Sequence, residues 1–227
     1  MPQMLCKLDK LTGLSLADNE ITKLPAGIGN LKYLVQLDLS RNRLSTLPAE
    51  FKDLTYLADI DLALNNIKTF PEALTTMVGL RRLVLDENPI QKWSQNMGAL
   101  KSLRVISIAN SKSTTFPKEL CLLDTLIVLS AANNRFTELP KEIGHLKTLR
   151  TLDLAYSEIA VLPVEIGEGF ALLAEILRDA GEVGHDVTVL VFDDLCHSFC
   201  LSVGYTLIPV HSCFRNLGKT ISFLCTE

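Results

Sequence analysis

A period of 23 residues constrains this chain more than any other feature. Apolar residues, an Asn and a Pro recur at fixed places, as in LVQLDLSRNRLSTLPAEFKDLTY at residues 34–56. Seven units without insertions cover residues 11–171, beginning at Leu11, Leu34, Leu57, Leu80, Leu103, Leu126 and Leu149. A fixed period of roughly 20–50 residues is typical of solenoids, in which each unit packs only on its neighbours.

Each unit matches the pattern L-x-x-L-x-L-x-x-N-x-L, which predicts a short strand and then a turn. In the second unit the strand is expected over Gln36–Ser40, with alternate Leu side chains pointing inward. Apolar residues three and four positions apart in residues 47–54 predict a helical or 3₁₀ turn, with Pro48 in its first turn. We therefore expect an α/β fold: a right-handed leucine-rich solenoid with a parallel concave sheet and short helical or 3₁₀ convex turns.

Three positions depart from the repeat. Trp93 and Ser94 replace the Leu-Pro pair of the fourth unit, which predicts a local bulge on the convex side. Ala131 stands where other units carry a large inward residue, and this loss of volume predicts loose packing or closure of its neighbours.

The Asn column is expected to be structural, since a buried amide can satisfy backbone groups at a turn. It contains Asn19, Asn42, Asn65, Asn88, Ser111, Asn134 and Ser157.

The domain prediction is a repeat array over residues 1–171 and a non-repeat tail over residues 172–227. Residues 1–10 align with the end of a unit, so they are either a half-cap or the remainder of a longer array. Apolar spacing over residues 170–181 predicts a capping helix, and Val187–Phe192 predicts a short buried strand. Three interpretations of the tail stay open: a true cap, gene-model readthrough past Gly167, or a distinct functional element.

Charge and targeting signals bear on partner and location. Residues 1–171 carry 19 Lys and Arg against 19 Asp and Glu, so no nucleic-acid partner is expected. The apolar run Phe199–Val210 is too short and too polar to span a bilayer. The sequence shows no secretory signal, no Asn-x-Ser/Thr sequon and no clustered cysteines in the repeats. We expect a cytoplasmic location and no membrane span.

The sequence carries no recognisable catalytic motif. It contains no phosphate-binding loop, no Gly-x-Ser-x-Gly elbow and no His-Glu-x-x-His pair, so neither an enzyme nor a cofactor is expected. One group of residues in the tail resembles a metal site: Cys196, Cys200, His211 and Cys213. Zinc accepts such ligands, although these intervals match no familiar finger or ribbon. A metal- or thiol-dependent activity of the tail is the alternative to a binding function, together with a truncated or misannotated fragment that has no function of its own.

The segments 24–31 (LPAGIGNL) and 139–146 (LPKEIGHL) resemble the intracellular leucine-rich repeats of Scribble, Erbin, the Ras suppressor and the Shoc-type Ras scaffold. The resemblance covers residues 1–171. It implies a non-enzymatic scaffold in signalling, with a small GTPase or a phosphatase as partner on the concave face. No motif transfers residue by residue to a particular contact.

The outward strand positions form columns on the predicted concave face. We take the candidate partner-binding residues from these columns and the turns that follow them: Asp38, Arg41, Asp59, Asp61, Leu64, Arg82, Asp86, Glu87, Val105, Val128 and Tyr156. Like charges on adjacent strands cost stability, so a sheet that keeps them can use them for binding. The alternative is a solvated face of mixed charge, neutralised by Arg41, Arg81 and Arg82. The binding hypothesis predicts charged contacts over units two to four and apolar contacts over units five and six.

Overall fold

The computed structural model describes residues 6–159, 163, 165, 187–191 and 199–203. Each of the seven units contributes one three-residue strand. They are β1 (Gly13–Ser15), β2 (Gln36–Asp38), β3 (Asp59–Asp61), β4 (Arg82–Val84), β5 (Val105–Ser107), β6 (Val128–Ser130) and β7 (Thr151–Asp153). Neighbouring strands pair in parallel, in chain order, and partners are always 23 residues apart. The parallel sheet expected from the period is confirmed.

The core runs along the inner side of this sheet. The middle residue of each strand points inward, and from β2 to β7 these residues are 0–2% exposed: Leu37, Ile60, Leu83, Ile106, Leu129 and Leu152. Because strand partners share a register, each of these side chains lies beside its equivalents in the adjacent units. Burial of such a continuous apolar column is what stabilises a stack whose single units have no core of their own.

Four asparagines of the Asn column link their own unit to the one before it. The amide nitrogen of Asn65 donates to the carbonyl of Leu39 in the preceding unit, and its oxygen accepts from the N–H of Leu44 there, at 3.0 and 2.9 Å. Asn42, Asn88 and Asn134 repeat this arrangement. The hydroxyl of Ser111 reaches only carbonyls of its own unit. The predicted structural role is therefore observed at these asparagines, and the column is interrupted at Ser111 and at Ser157, whose buried hydroxyl has no hydrogen-bond partner among the described residues.

The residue before each member of the Asn column has a left-handed backbone conformation. Its φ lies between 53° and 57° in all seven units, at Asp18, Arg41, Leu64, Glu87, Asn110, Asn133 and Tyr156. This conformation costs a non-glycine residue about 1–2 kcal/mol. The N–H groups at the same corners donate across units, as from Arg41 to the carbonyl of Ala63 at 2.8 Å. The corner thus turns the chain out of the strand while still bonding to the next unit.

Short 3₁₀ helices line the opposite side of the first six units. They are Ala26–Asn30, Ala49–Asp53, Glu72–Thr76, Met97–Ala99, Lys118–Leu122 and Lys141–His145. The repeated Pro lies one position outside the helix, as the N-cap residue, and not in the first turn as predicted. At Pro48 ψ is 153°, an extended value, and its carbonyl accepts the first helical bond from Phe51. Proline suits this place because it has no N–H to leave unbonded.

The fourth unit departs from the repeat by losing helix. Its 3₁₀ helix begins two residues later than the equivalent position in the third unit, at Met97. Ser94, which is 2% exposed, donates its hydroxyl to the Glu72 carboxylate at 2.8 Å. Trp93 packs on Phe70 with ring centroids 5.7 Å apart. The substitution of the Leu-Pro pair therefore shortens the helix and ties it to the preceding unit through a side-chain bond.

The sixth unit compensates for its small residue. Ala131 is fully buried, as are the flanking Ile108 and Leu154 to within 2%. The same unit carries Phe136 where the first four units carry Ile or Leu. Phe136 is fully buried and contacts the edge of the Phe116 ring, with centroids 5.4 Å apart. We interpret the large aromatic side chain as filling volume that a larger residue at position 131 would otherwise occupy.

Beyond the repeats the structure describes two further strands, β8 (Val187–Val191) and β9 (Phe199–Val203). β8 pairs with β7 in parallel, and β9 pairs with β8 antiparallel. The strand predicted at Val187–Phe192 is observed. The capping helix predicted over residues 170–181 lies outside the described residues, and the domain boundary at residue 171 stays a prediction.

Candidate protein-binding surface

The strand register brings the predicted outward residues together in two columns. Asp38 lies directly opposite Asp61, and the equivalent residue of the next strand is Val84. The second column runs from Gln36 through Asp59, Arg82 and Val105 to Val128. We call these outward side chains of β1–β7 the sheet face; it corresponds to the predicted concave face.

One charged pair of the sheet face neutralises itself. The Arg82 guanidinium donates to a carboxylate oxygen of Asp59 on the neighbouring strand, with Nη1 and Oδ1 2.9 Å apart. Both side chains stay partly accessible, at 45% and 35% exposure, so the pair contributes about 1 kcal/mol or less to stability. Asp59 and Arg82 are therefore available to a partner only at the expense of this bond.

Two carboxylates serve the backbone at the end of their own strands. Asp38 accepts from the N–H and hydroxyl of Ser40, at 3.0 and 2.7 Å, and from the hydroxyl of Ser15 at 3.1 Å. Asp61 accepts from the N–H of Ala63 at 2.9 Å. An acidic side chain two residues before an N–H that leaves the strand is a local turn device. The acidic cluster thus has a structural cause besides any binding role.

Asp86 bridges two units. Its Oδ1 accepts from the Ser107 hydroxyl at 2.6 Å and from the Ala109 N–H at 2.7 Å, both in the fifth unit. This is the junction at which Ser111 makes no cross-unit bond through its side chain. A carboxylate consequently replaces the amide link between units four and five.

The pKa values of three aspartates shift in different directions, because burial raises each pKa and hydrogen bonds lower it to a different extent. Burial tends to raise the pKa of Asp38, but the bonds from Ser40 and Ser15 outweigh it and lower that pKa below its ordinary value. Burial raises the pKa of Asp61, and the neighbouring Asp38 carboxylate adds to the rise. Burial also raises the pKa of Asp86, with a further contribution from Glu87. The negative charge of Asp61 is thus held at a cost to the fold.

Asp61→Asn is expected to stabilise the protein at neutral pH. The amide keeps an acceptor for the Ala63 N–H, relieves the cost of burying a charge, and removes repulsion by Asp38, which is worth about 0.2–1 kcal/mol for a like-charged cross-strand pair. Because the pKa of Asp61 is raised in the folded state, the protonated carboxyl group favours folding. This contribution of Asp61 to stability is complete below its unfolded-state pKa and is lost as pH rises through its folded-state pKa. Urea unfolding at several pH values should therefore show a gain at pH 7 that vanishes near about pH 3.

Asp153→Asn is the matched control for this change. Asp153 accepts from the Ala155 N–H at 3.0 Å in the same way, but Ser130 lies opposite it on β6. It should show no comparable gain at pH 7. Equal gains in the two variants, or a gain that increases towards acid pH, would contradict the assigned repulsion.

Four of the predicted site residues lie at the corners and not in the strands. Arg41, Leu64, Glu87 and Tyr156 all have the left-handed conformation, so the backbone fixes where their side chains leave the chain. Leu64 is half-buried, whereas Tyr156 is 57% exposed. The nearest approach of Arg41 to Asp18 is 3.9 Å, a weak ion pair. These residues form the rim of the sheet face.

The sheet face changes character between β4 and β5. Val84 is 6% exposed, and the two following strands present the half-buried Val105, Ser107, Val128 and Ser130. No Asp, Glu, Lys or Arg occupies an outward position of β5 or β6. The outward side chains thus form a charged part over units two to four and an uncharged part over units five and six, and the charged and apolar contacts predicted for these two parts stay predictions.

Comparison with known proteins agrees with this geometry. A family model described as a leucine-rich repeat region matches residues 2–112. A leucine-rich-repeat protein of Leptospira interrogans is 32% identical, with a TM-score of 0.71 over 74% of this chain. The chain has the leucine-rich-repeat fold. No curated protein sequence matches it.

Two further solved structures share this leucine-rich-repeat fold. A plant peptide hormone receptor, RGFR1, solved in complex with RGF2, is 30% identical over 74% of this chain, with a TM-score of 0.62. TLR13, solved in a complex with ssRNA13, is 25% identical over 73%, with a TM-score of 0.67. The chain spans 43% of the Leptospira protein, 28% of RGFR1 and 24% of TLR13.

A pair of exposed aromatic residues escaped the sequence analysis of the leucine-rich repeats. Tyr33 and Tyr56, in the turns before β2 and β3, stack with ring centroids 6.0 Å apart and planes 21° apart. They are 56% and 63% exposed. The signal was available, because the two tyrosines are 23 residues apart and hence occupy the same position of adjacent units.

The two cysteines of the leucine-rich repeats are buried. Cys6 and Cys121 are buried free thiols. Burial, with a contribution from Glu142 and Glu119, raises the pKa of Cys121 to about 12, so its reactive thiolate is scarce at neutral pH. Of the suggested metal ligands, Cys196, His211 and Cys213 lie outside the described residues, and of Cys200 only the backbone in β9 is described. Within the described part of the chain, no group of three metal-ligating side chains occurs.

None of the helices among the described residues is long and apolar enough to cross a bilayer.

Proposed function

We propose that this leucine-rich-repeat array is a non-enzymatic protein-interaction module that binds a protein partner across the sheet face. The observation that carries the proposal is the register, which joins the outward side chains of seven strands into one accessible surface. Extended surfaces of this kind are what solenoids use for binding. Charged side chains over β2–β4 would set orientation and association rate, and the apolar side chains over β5 and β6 would supply desolvated contacts.

The intracellular scaffold role follows from the resemblance of the repeats to Scribble, Erbin and their relatives. On that basis we propose a cytoplasmic signalling protein whose partner is a small GTPase or a phosphatase. The charged part of the sheet face suits a partner with exposed Arg or Lys. Asp38, Asp61 and Asp86 each keep a carboxylate oxygen that accepts at most one hydrogen bond from the described residues. Guanidinium groups bind such carboxylates through paired hydrogen bonds.

Binding to the sheet face is tested with variants that remove charge without removing a backbone acceptor. The double change Asp59→Asn and Asp61→Asn is expected to weaken partner binding about tenfold, which is about 1.4 kcal/mol, and to reduce its salt dependence. Val128→Asp should weaken binding by placing a charge in the uncharged half. Biolayer interferometry with a GTP-loaded small GTPase, and separately with a phosphatase catalytic subunit, measures both effects.

Two controls make this experiment decisive. Lys52→Gln and Lys118→Gln change exposed charges within or at the start of the 3₁₀ helices and should leave binding unchanged. If these changes abolish binding while the Asp variants bind normally, the assignment to the sheet face is wrong. If neither probe binds, the partner class taken from the resemblance is wrong; a partner captured from lysate and identified by mass spectrometry then takes their place in the same assay.

A further inference from the structure

A second surface lies along the edge of the sheet where the strands begin. One residue before each strand, backbone N–H groups donate to the equivalent carbonyl of the preceding unit: Ala58 to Val35 at 2.9 Å, Arg81 to Ala58 at 2.8 Å, and Arg104 to Arg81 at 2.9 Å. These residues are therefore in register on adjacent units. Together with the turns that precede them they form what we call the tyrosine–arginine edge: Tyr33, Val35, Tyr56, Val78, Arg81 and Arg104.

One half of this edge is apolar and exposed. Of the seven exposed large hydrophobic side chains among the described residues, four belong to it: Tyr33, Val35, Tyr56 and Val78, at 38–65% exposure. The stacked rings of Tyr33 and Tyr56 present a flat surface with polar hydroxyls at its margin. Clustered exposed apolar groups mark interaction sites, and tyrosine is enriched there because its ring is rigid and amphipathic.

The other half is basic and lacks internal compensation. Arg41, Arg43 and Arg82 each have a carboxylate within 4 Å. Arg81 and Arg104 are exposed, and neither has such a carboxylate among the described residues. The Arg104 guanidinium makes only a 3.5 Å contact to the carbonyl of Thr125. Two guanidinium groups on adjacent units without a carboxylate favour an anionic partner.

We propose that the tyrosine–arginine edge binds an extended acidic peptide segment of a partner protein. An apolar residue of the segment covers Tyr33 and Tyr56, and two carboxylates pair with Arg81 and Arg104. Parallel strands are ~5 Å apart, so the two arginines lie about 7 and about 12 Å along the edge from the centre of the tyrosine pair. In an extended peptide, residues two and four positions on are ~7 and ~14 Å away on the same side. The fitting pattern is an aromatic residue followed by acidic residues at the second and fourth positions.

A peptide fits this surface better than single-stranded RNA, although stacked tyrosines and arginines are also elements of RNA binding. The strands that follow the two tyrosines carry Asp38, Asp59 and Asp61, which would repel phosphates running past them. An apolar end of a peptide carries no charge at that place. Acidic groups are needed only further along, beside Arg81 and Arg104.

The test is fluorescence anisotropy with a labelled peptide that contains Phe-Gly-Asp-Gly-Asp, added to the full chain. We expect saturable binding that weakens with salt, and at least tenfold loss when both aspartates of the peptide are replaced by asparagine. Tyr56→Ser should weaken binding at least tenfold, and so should the double change Arg81→Glu and Arg104→Glu. The matched controls are Leu122→Ser and Arg150→Glu, which alter an exposed large hydrophobic residue of a 3₁₀ helix and an exposed edge arginine at the seventh unit. Circular dichroism checks that each variant is folded.

Three results would overturn the proposal: no saturable binding of the acidic peptide, equal losses in the control variants, or tighter binding of oligouridylate than of the peptide. None of them bears on the sheet face. Variants that remove charge from Asp59 and Asp61 should not weaken peptide binding, so failure of one surface is distinguishable from failure of the other.

Discussion

Asn65→Ala is expected to lower the free energy of unfolding by about 3 kcal/mol, because the buried N–H of Leu44 then has no acceptor and a small cavity is left. Asn65 is 4% exposed, and its amide makes four hydrogen bonds, two of them to the preceding unit. The Leu39 carbonyl keeps a donor in this variant, because it also accepts from the Asn42 amide at 3.1 Å. The Leu44 N–H has no such replacement. Urea unfolding monitored by circular dichroism measures the change.

Asn19→Ala is the matched control. Asn19 belongs to the same column, but it is exposed and donates only to carbonyls of its own unit, those of Leu16 and Ala17. Its loss should amount to about 1 kcal/mol or less. Similar losses at positions 19 and 65 would show that links between units contribute little to stability.

Phe136→Ala is expected to destabilise the protein by about 3–5 kcal/mol, the usual range for removing a fully buried aromatic side chain. Phe136 has no exposed surface and packs on the edge of Phe116. If Phe136 also fills the space left by Ala131, the two positions should be coupled. Thermal and urea unfolding of variants at positions 131 and 136 measures that coupling.

The coupling is tested by a double-mutant cycle. Ala131→Leu alone should cost about 1–3 kcal/mol through overpacking. Combined with Phe136→Leu, which restores the residue pair typical of the other units, the total loss should be smaller than the sum of the single losses. Additive losses would mean that the two side chains do not share volume.

The period predicted the fold because it specifies register as well as structure. Once the units are 23 residues long without insertions, each strand must pair with the equivalent residues of the next, and this placed Asp38 opposite Asp61 correctly. The Asn column could be assigned in the same way, since a polar residue at one repeated inward position needs backbone partners. The predicted strands and 3₁₀ segments were one or two residues too long. The repeated Pro was predicted inside the first helical turn, but it is the N-cap residue.

What the sequence did not reveal depends on contacts between neighbouring units. A Leu at position 64 gives no sign of a left-handed corner, because the conformation is imposed by the bonds on either side of it. The structural use of Asp38 and Asp61 depends on N–H groups two residues later, which the columns of side chains alone do not display. The cross-unit role of Asp86 was hidden because Asp86 lies outside the column of outward strand residues that contains Asp38 and Asp61.

The interrupted Asn column has a consequence for how the array folds. In a one-dimensional stack, cooperativity is transmitted only through junctions between neighbouring units, so the weakest junction decides whether the stack folds as one body or as two. Units one to four are joined by successive buried amides, whereas at the next junction the turn of unit five bonds to the Asp86 carboxylate. The junction between units six and seven also lacks the amide, because Ser157 stands in its place and its buried hydroxyl has no hydrogen-bond partner among the described residues. The stack is therefore expected to separate first at these two junctions, which divide the repeats into blocks of four, two and one.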